Sequence, residues 1–162
     1  MKSKFILFIV LFVINTCFII SAQNSCAFSA GINKDQLINT GYSKVMWNSK
    51  QFDECNSMKS NGSFCPGSVG KYLLIASCYI DDMSHMSTSV IYVFKNGSCI
   101  YTGTNQVNSG GFSDQIHTIN CIVEVQNPTD NFDVYIWHNS TMNAQIRCCN
   151  ATFFQGYRIS YY

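Results

Sequence analysis

From residue 72 to residue 80 the chain alternates, with Tyr72, Leu74, Ala76, Cys78 and Ile80 on one face. A period of two over this length predicts a strand buried on at least one side. Four further segments, 89–95 (SVIYVFK), 119–126 (INCIVEVQ), 132–138 (FDVYIWH) and 153–161 (FFQGYRISY), are rich in β-branched and aromatic residues and also predict strands. Asn96-Gly97, Ser109-Gly110-Gly111 and Asn127-Pro128-Thr129-Asp130 lie between them with turn chemistry, and the first, before SCIYTG, predicts a hairpin. Shorter strands are predicted at 27–30 and 45–47. Helical periodicity nowhere persists beyond about two turns. Many short strands, closely spaced turns and no intervening helices predict an all-β antiparallel sandwich or barrel.

One apolar run does not fit this pattern. Lys2 and Lys4 precede hydrophobic residues from 5 to 20, broken by Asn15 and Thr16, and Ser21-Ala22-Gln23 follows. A basic head, an apolar stretch and a small residue before a polar one predict a secretory signal peptide over 1–22, with a mature domain over 23–162. The run is short of the roughly 20 apolar residues that cross a bilayer, so no membrane span is expected in the mature chain. Removing 1–22 takes away two lysines and leaves 8 basic against 9 acidic side chains. Without a basic excess, nucleic acid is excluded as a partner. With 47% hydrophobic residues in the whole chain, the mature chain can bury roughly two thirds of its unfolded surface and fold as one domain.

Secretion changes how the cysteines read. With Cys17 in the leader, Cys26, Cys55, Cys65, Cys78, Cys99, Cys121, Cys148 and Cys149 remain as disulfide candidates in an oxidising compartment. Cys55 and Cys65 flank a loop containing Asn61-Gly62, where a staple is geometrically open. Cys148 and Cys149 are adjacent and, if extended, point to opposite faces, so each needs its own partner. Cys26, at the start of the mature chain, is open either to an intrachain bond or to a bond between copies. The spacing of cysteines and of His85, His117 and His138 does not suit zinc. Sequons at Asn61, Asn96, Asn139 and Asn150 predict glycosylation on solvent-facing backbone.

Three stretches carry a family resemblance. Ala27-Phe28-Ser29-Ala30 looks like an opening strand. Phe64, five residues, then Gly70, Lys71, Tyr72, Leu73 and Leu74 form the second, and Phe153-Phe154-Gln155-Gly156-Tyr157-Arg158-Ile159 forms the third. In order and spacing the chain resembles the globular head of complement C1q and its relatives, a branch of the tumour necrosis factor jelly-roll superfamily. The resemblance implies an antiparallel jelly-roll sandwich with Phe64, Gly70, Tyr72, Leu74, Phe154, Gly156 and Tyr157 at motif positions of the core. Without the family, Gly70 permits a sharp turn into a strand, and Gly156 permits close approach of a neighbouring backbone. The chain departs from the pattern at Leu74 and Ala76, where the family prefers aromatics, and at Val69, where it usually has proline.

Function follows from that resemblance as an expectation. Such heads assemble as trimers and display crown loops to ligands, so the chain is expected to be a secreted, non-enzymatic module. Its expected partners are itself, as a homotrimer, and an extracellular protein or carbohydrate. No collagen repeat or heptad lies between 22 and 26 to drive assembly. Ligand loops are expected around 81–87, 104–115 and 138–147. Asp81 and Asp82, with His85 nearby, are candidate calcium ligands, as some relatives bind calcium at the crown; the same residues also suit a solvated loop. No cofactor is otherwise expected, and no nucleophile elbow, Cys/His frame or phosphate loop suggests catalysis. His117 is expected to be a satisfied polar strand residue and His138 a surface one. Cysteine content and glycosylation also admit a structural or adhesive component of an extracellular matrix or coat.

Overall fold

The computed structural model describes residues 26–109 and 113–160; the leader predicted over 1–22 lies outside them. Among the described residues, eleven strands form two antiparallel sheets. They are β1 (Ala27–Gly31), β2 (Gln36–Ile38), β3 (Gly41–Lys44), β4 (Ser49–Asp53), β5 (Gly70–Met83), β6 (Thr88–Lys95), β7 (Ser98–Val107), β8 (Ser113–Val125), β9 (Phe132–His138), β10 (Ala144–Ile146) and β11 (Phe153–Ser160). The seven-stranded sheet runs β2-β10-β5-β11-β1-β4, with β8 also paired to β5. The four-stranded sheet runs β3-β9-β6-β7. Strands β5, β6 and β7, β8, β9 and β11 pass the chain back and forth between the sheets, which is the jelly-roll path.

The five long strands predicted from alternation and from β-branched and aromatic content are all present, some longer than expected. β8 begins near residue 113, and the Asn96-Gly97 hairpin joins β6 to β7, with Asn96 and Gly97 at φ 51° and 81°. Residues 45–47 are not a strand: Val45 and Trp47 are buried in the connection between β3 and β4, and the Val45 N–H donates to Val134 O at 2.9 Å. Their apolar character reflects burial, not ladder pairing.

The three stretches of the family resemblance are neighbours in space. β1 pairs with β11, and β11 with β5, so that Phe28, Gly156 and Leu74 share one row. The Phe28 ring stacks on Phe64 at 4.6 Å and meets Phe154 edge-on at 4.9 Å. Tyr72, Trp47 and Phe132 complete an aromatic core at this end of the sandwich. Gly70, at φ 142°, lies against Ser160 O, where a side chain has no room. Tyr157 departs from the expectation. It pairs with Ala27 and Leu73 but is 48% exposed, because alternation in β11 turns it away from the Phe154 side.

The disulfide expectation is met at Cys26, which bonds Cys55 within the chain, and corrected at Cys65, where the Cys55–Cys65 staple does not form. Pairing of β1 with β4 brings the two sulfurs together: Phe28 lies opposite Asp53, and the Glu54 N–H donates to Ala27 O at 3.0 Å. Cys65, Cys78, Cys99, Cys121, Cys148 and Cys149 are free thiols. Cys78 and Cys121 face the core, where burial raises their pKa, that of Cys121 to about 11. Cys99, Cys148 and Cys149 are exposed.

Candidate functional site

The described parts of the three segments expected to bind ligand, residues 110–112 lying outside them, meet at one end of the sandwich, where β5, β7 and β9 end and β6 and β10 begin. Asn108, 1% exposed, fastens two of them: its side-chain amide donates to Met83 O at 2.7 Å and Ser84 O at 3.1 Å. Its backbone N–H donates to Ser87 O at 2.8 Å and its carbonyl accepts from Met86 N at 2.6 Å. Ser140 brings in the third segment. Its hydroxyl accepts from the Ser84 N–H at 3.1 Å, and its carbonyl accepts from Thr40 Oγ1 at 2.6 Å. Met86, Val107 and Met142 stand exposed on this platform. Backbone polar groups buried beneath a loop end need such partners, so the end is a braced surface.

Beneath the platform the core turns polar. Ser89, Gln115, His117 and His138 are buried between the sheets. His117 Nε2 lies 2.8 Å from Ser89 Oγ, and its Nδ1 lies 3.2 Å from Thr104 Oγ1 and 3.1 Å from Thr104 O. This is the satisfied strand histidine that the sequence suggested. Both Ser89 and His117 are fully buried, so the pair is closed to substrate. His138 differs from its expected surface position: it is fully buried, its Nδ1 accepts from Ser140 N at 3.2 Å, and its Nε2 has no hydrogen-bond partner. Alternation in β9 turns it inward with Ile136 and Val134, even though the exposed Asn139 follows it. Burial lowers the pKa of both histidines.

Asp81 and Asp82 lie on the edge of this end, at an irregularity in the β5–β8 pairing, with Asp82 at φ 64°. Their carboxylates already have protein partners. Asp81 faces Arg147 at 3.4 Å, and Asp82 accepts from Gln145 Nε2 at 3.1 Å. Arg147 also reaches Asp35 at 3.4 Å. Tyr79 donates to Asp114, which pushes the Tyr79 pKa up to about 12 and lowers that of Asp114. A hydrogen bond with Asp114 raises the pKa of Asp81. Among the described residues no group of three or more His, Cys, Asp or Glu side chains is arranged to hold a metal ion.

All four sequon asparagines are exposed. Asn96 is the most engaged: its Nδ2 donates to the buried Asp130 at 2.9 Å, and its Oδ1 accepts from Asn131 N at 2.9 Å.

The sequence reading passed over the outer face of the seven-stranded sheet. Tyr157, Leu73 and Ile122 form one cross-strand row, and Tyr79 and Ile116 another. Ile122 is 53% exposed and Ile116 46%. The signal was present in β8, where Ile119, Cys121, Val123 and Val125 take the inward positions and leave Ile116 and Ile122 on the opposite face.

No known protein family and no curated protein sequence matches the chain. Solved structures do. Eiger TNF from S. frugiperda is similar with a TM-score of 0.62 at 8% identity, over 85% of this chain and 93% of that one. Murine APRIL gives 0.61 at 11% identity, over 83% and 99%. The globular domain of zebrafish complement 1qA gives 0.59 at 13% identity, over 85% and 99%. Sheet order, core and these three likenesses agree: the chain has the TNF/C1q-like jelly-roll fold.

Proposed function

We propose that the chain is a secreted, non-enzymatic recognition module that assembles as a homotrimer and binds an extracellular protein or glycan through the loops of its braced end. The observation that carries this reading is the pair of apolar rows on the outer face of the seven-stranded sheet. Ile122, Ile116, Leu73 and Tyr157 are the kind of side chains that subunit interfaces bury and isolated domains cover. A head-to-tail contact through such a face closes into a three-membered ring when each copy is rotated by a third of a turn. The solved structures named above support the same use of the fold, and the predicted leader supports secretion. Light scattering of the protein from residue 23 onward, deglycosylated, tests the assembly. A mass three times that of the chain is expected; a monomer overturns the trimeric part of the reading.

A second reading has its own observation. Cys99, Cys148 and Cys149 are free and exposed, which suits a cross-linked structural or adhesive component of a matrix or coat. It predicts ladders of linked chains on a non-reducing gel of native material, which collapse on reduction.

A further inference from the structure

The outer face of the four-stranded sheet carries a second unpartnered surface of different chemistry. Tyr42 on β3, Tyr135 and Trp137 on β9, and Tyr92 and Phe94 on β6 point away from the core, because their strand neighbours Ile91, Val93, Val134, Ile136 and His138 are buried on the inner side. Register places Tyr42 beside Trp137 and Tyr135 beside Tyr92. The Tyr42 ring lies 5.4 Å from Tyr92 and 5.8 Å from Phe94, and Phe94 lies 4.6 Å from Tyr135. Val90 pairs with Trp137 and is 5% exposed although it stands outside the core cluster, so the outer rings themselves cover it. The Tyr42, Tyr92, Phe94 and Tyr135 rings form a contiguous surface across three strands, with Trp137 beside Tyr42 in register and Tyr42 itself 57% exposed.

Charge and polarity narrow what this surface takes. Lys44 and Asp133, at its border, are paired at 2.7 Å and cancel. An anionic or cationic partner therefore meets no complement here. Four of the five rings carry a hydroxyl or N–H, and Thr102 and Asn105 of β7 extend the same rows with further polar groups. A matching partner alternates apolar C–H faces with hydroxyl groups and has no charge, which is the chemistry of neutral sugars. The C–H face of a pyranose suits the negative face of an aromatic ring, and its hydroxyls suit the Tyr and Trp polar edges. Neighbouring strands lie about 4.8 Å apart, close to the length of one unit in a linear oligosaccharide.

We infer that this aromatic face binds an uncharged linear oligosaccharide displayed by another molecule, lying across β3, β9 and β6. The inference rests on the recognition-module reading and moves a glycan ligand from the loops to the sheet. The protein has two tryptophans. Trp47 is 1% exposed in the core and Trp137 lies on this face, so acrylamide quenching of fluorescence reports on the proposed site. The full mature protein is titrated with cellohexaose, chitohexaose and mannohexaose. At least one is expected to protect Trp137, with Tyr42→Ala and Tyr92→Ala each weakening binding roughly tenfold and Tyr92→Phe retaining most of it. Two results overturn the inference: no protection by any hexaose at millimolar concentration, or undiminished binding to a folded Tyr42→Ala/Tyr92→Ala protein. Light scattering on the same samples separates the two proposals. A trimer without sugar binding removes this site and leaves the recognition module; a monomer that binds sugar removes the trimer and leaves this site.

Discussion

The ring of Phe28 lies across the backbone of Gly156, so that a carbon added at Gly156 would stand 2.6 Å from Phe28 Cε1 and 2.9 Å from Leu73 O. The two residues are register partners between β1 and β11. Phe28 cannot retreat easily, since Phe64 and Phe154 hold it on other sides. Gly156→Ala is therefore expected to overpack the sheet and lower stability by about 3 kcal/mol. Phe28→Ala removes the obstructing ring at a cost of about 3–5 kcal/mol. The double variant should cost less than the sum of the two, because the clash is then gone. Urea denaturation of the three variants, with an unchanged slope, checks this; strict additivity would show that the contact carries no strain.

The Cys26–Cys55 bond spans 29 residues and fastens β1 to β4 within one chain. Closing a loop of that size in the unfolded chain stabilises the fold by about 3–4 kcal/mol. Cys26→Ser/Cys55→Ser should lose that amount in denaturant and keep the solution mass of the parent. A change in mass without loss of stability would place the bond between chains instead.

Most of this fold was legible in the sequence because the long strands carry it. β5, β6, β9 and β11 alternate or concentrate β-branched and aromatic residues, and the motif glycines fall where a neighbouring backbone carbonyl approaches closely. The short strands β2, β3, β4 and β10 were not legible: QLI, GYSK, SKQFD and AQI have no run long enough to show a period. Their pairing comes from the neighbours that hold them. The disulfide was hidden for the same reason, since Cys26 and Cys55 meet only once β4 has paired with β1. The loops of the candidate site could be located from turn residues, but Asn108 and Ser140, which brace them, looked like ordinary polar loop positions. His138 misled because the sequon beside it is exposed while the side chain itself turns inward.

His117 and His138 give the molecule an acid-sensitive interior. Burial holds both pKa values below 6.5, so the folded chain keeps them neutral. Well above pH 6.5 neither the folded nor the unfolded chain is protonated there, and stability is level. As the pH falls below 6.5 the unfolded chain takes up protons first, and stability declines until the folded values are reached. Asp53 and Asp130 act separately: hydrogen bonds and lysine partners outweigh burial and lower their pKa values from 3.8, so their contribution is lost only in stronger acid. The thermal midpoint should be flat well above pH 6.5 and fall as the pH drops below it. His117→Gln should flatten part of that fall, and an unchanged slope would remove His117 from the account.

Ile122 is the sharpest probe of the proposed assembly. It stands 53% exposed beside Leu73 and Tyr157, on the face that the other sheet does not cover. In a monomer, Ile122→Asp replaces one solvent-facing side chain with another and should shift stability by about 0.5 kcal/mol or less. In a trimer closed through this face, the same change buries an unpaired carboxylate in each subunit contact. That costs about 2 kcal/mol or more per contact and should drive the protein to a monomer at micromolar concentration. Tyr42→Asp, on the outer face of the opposite sheet, is the matching control and should leave the mass unchanged. Sedimentation of both variants decides the point: loss of the trimer with Ile122→Asp alone places the interface on the seven-stranded sheet, and loss with Tyr42→Asp alone moves it to the aromatic face.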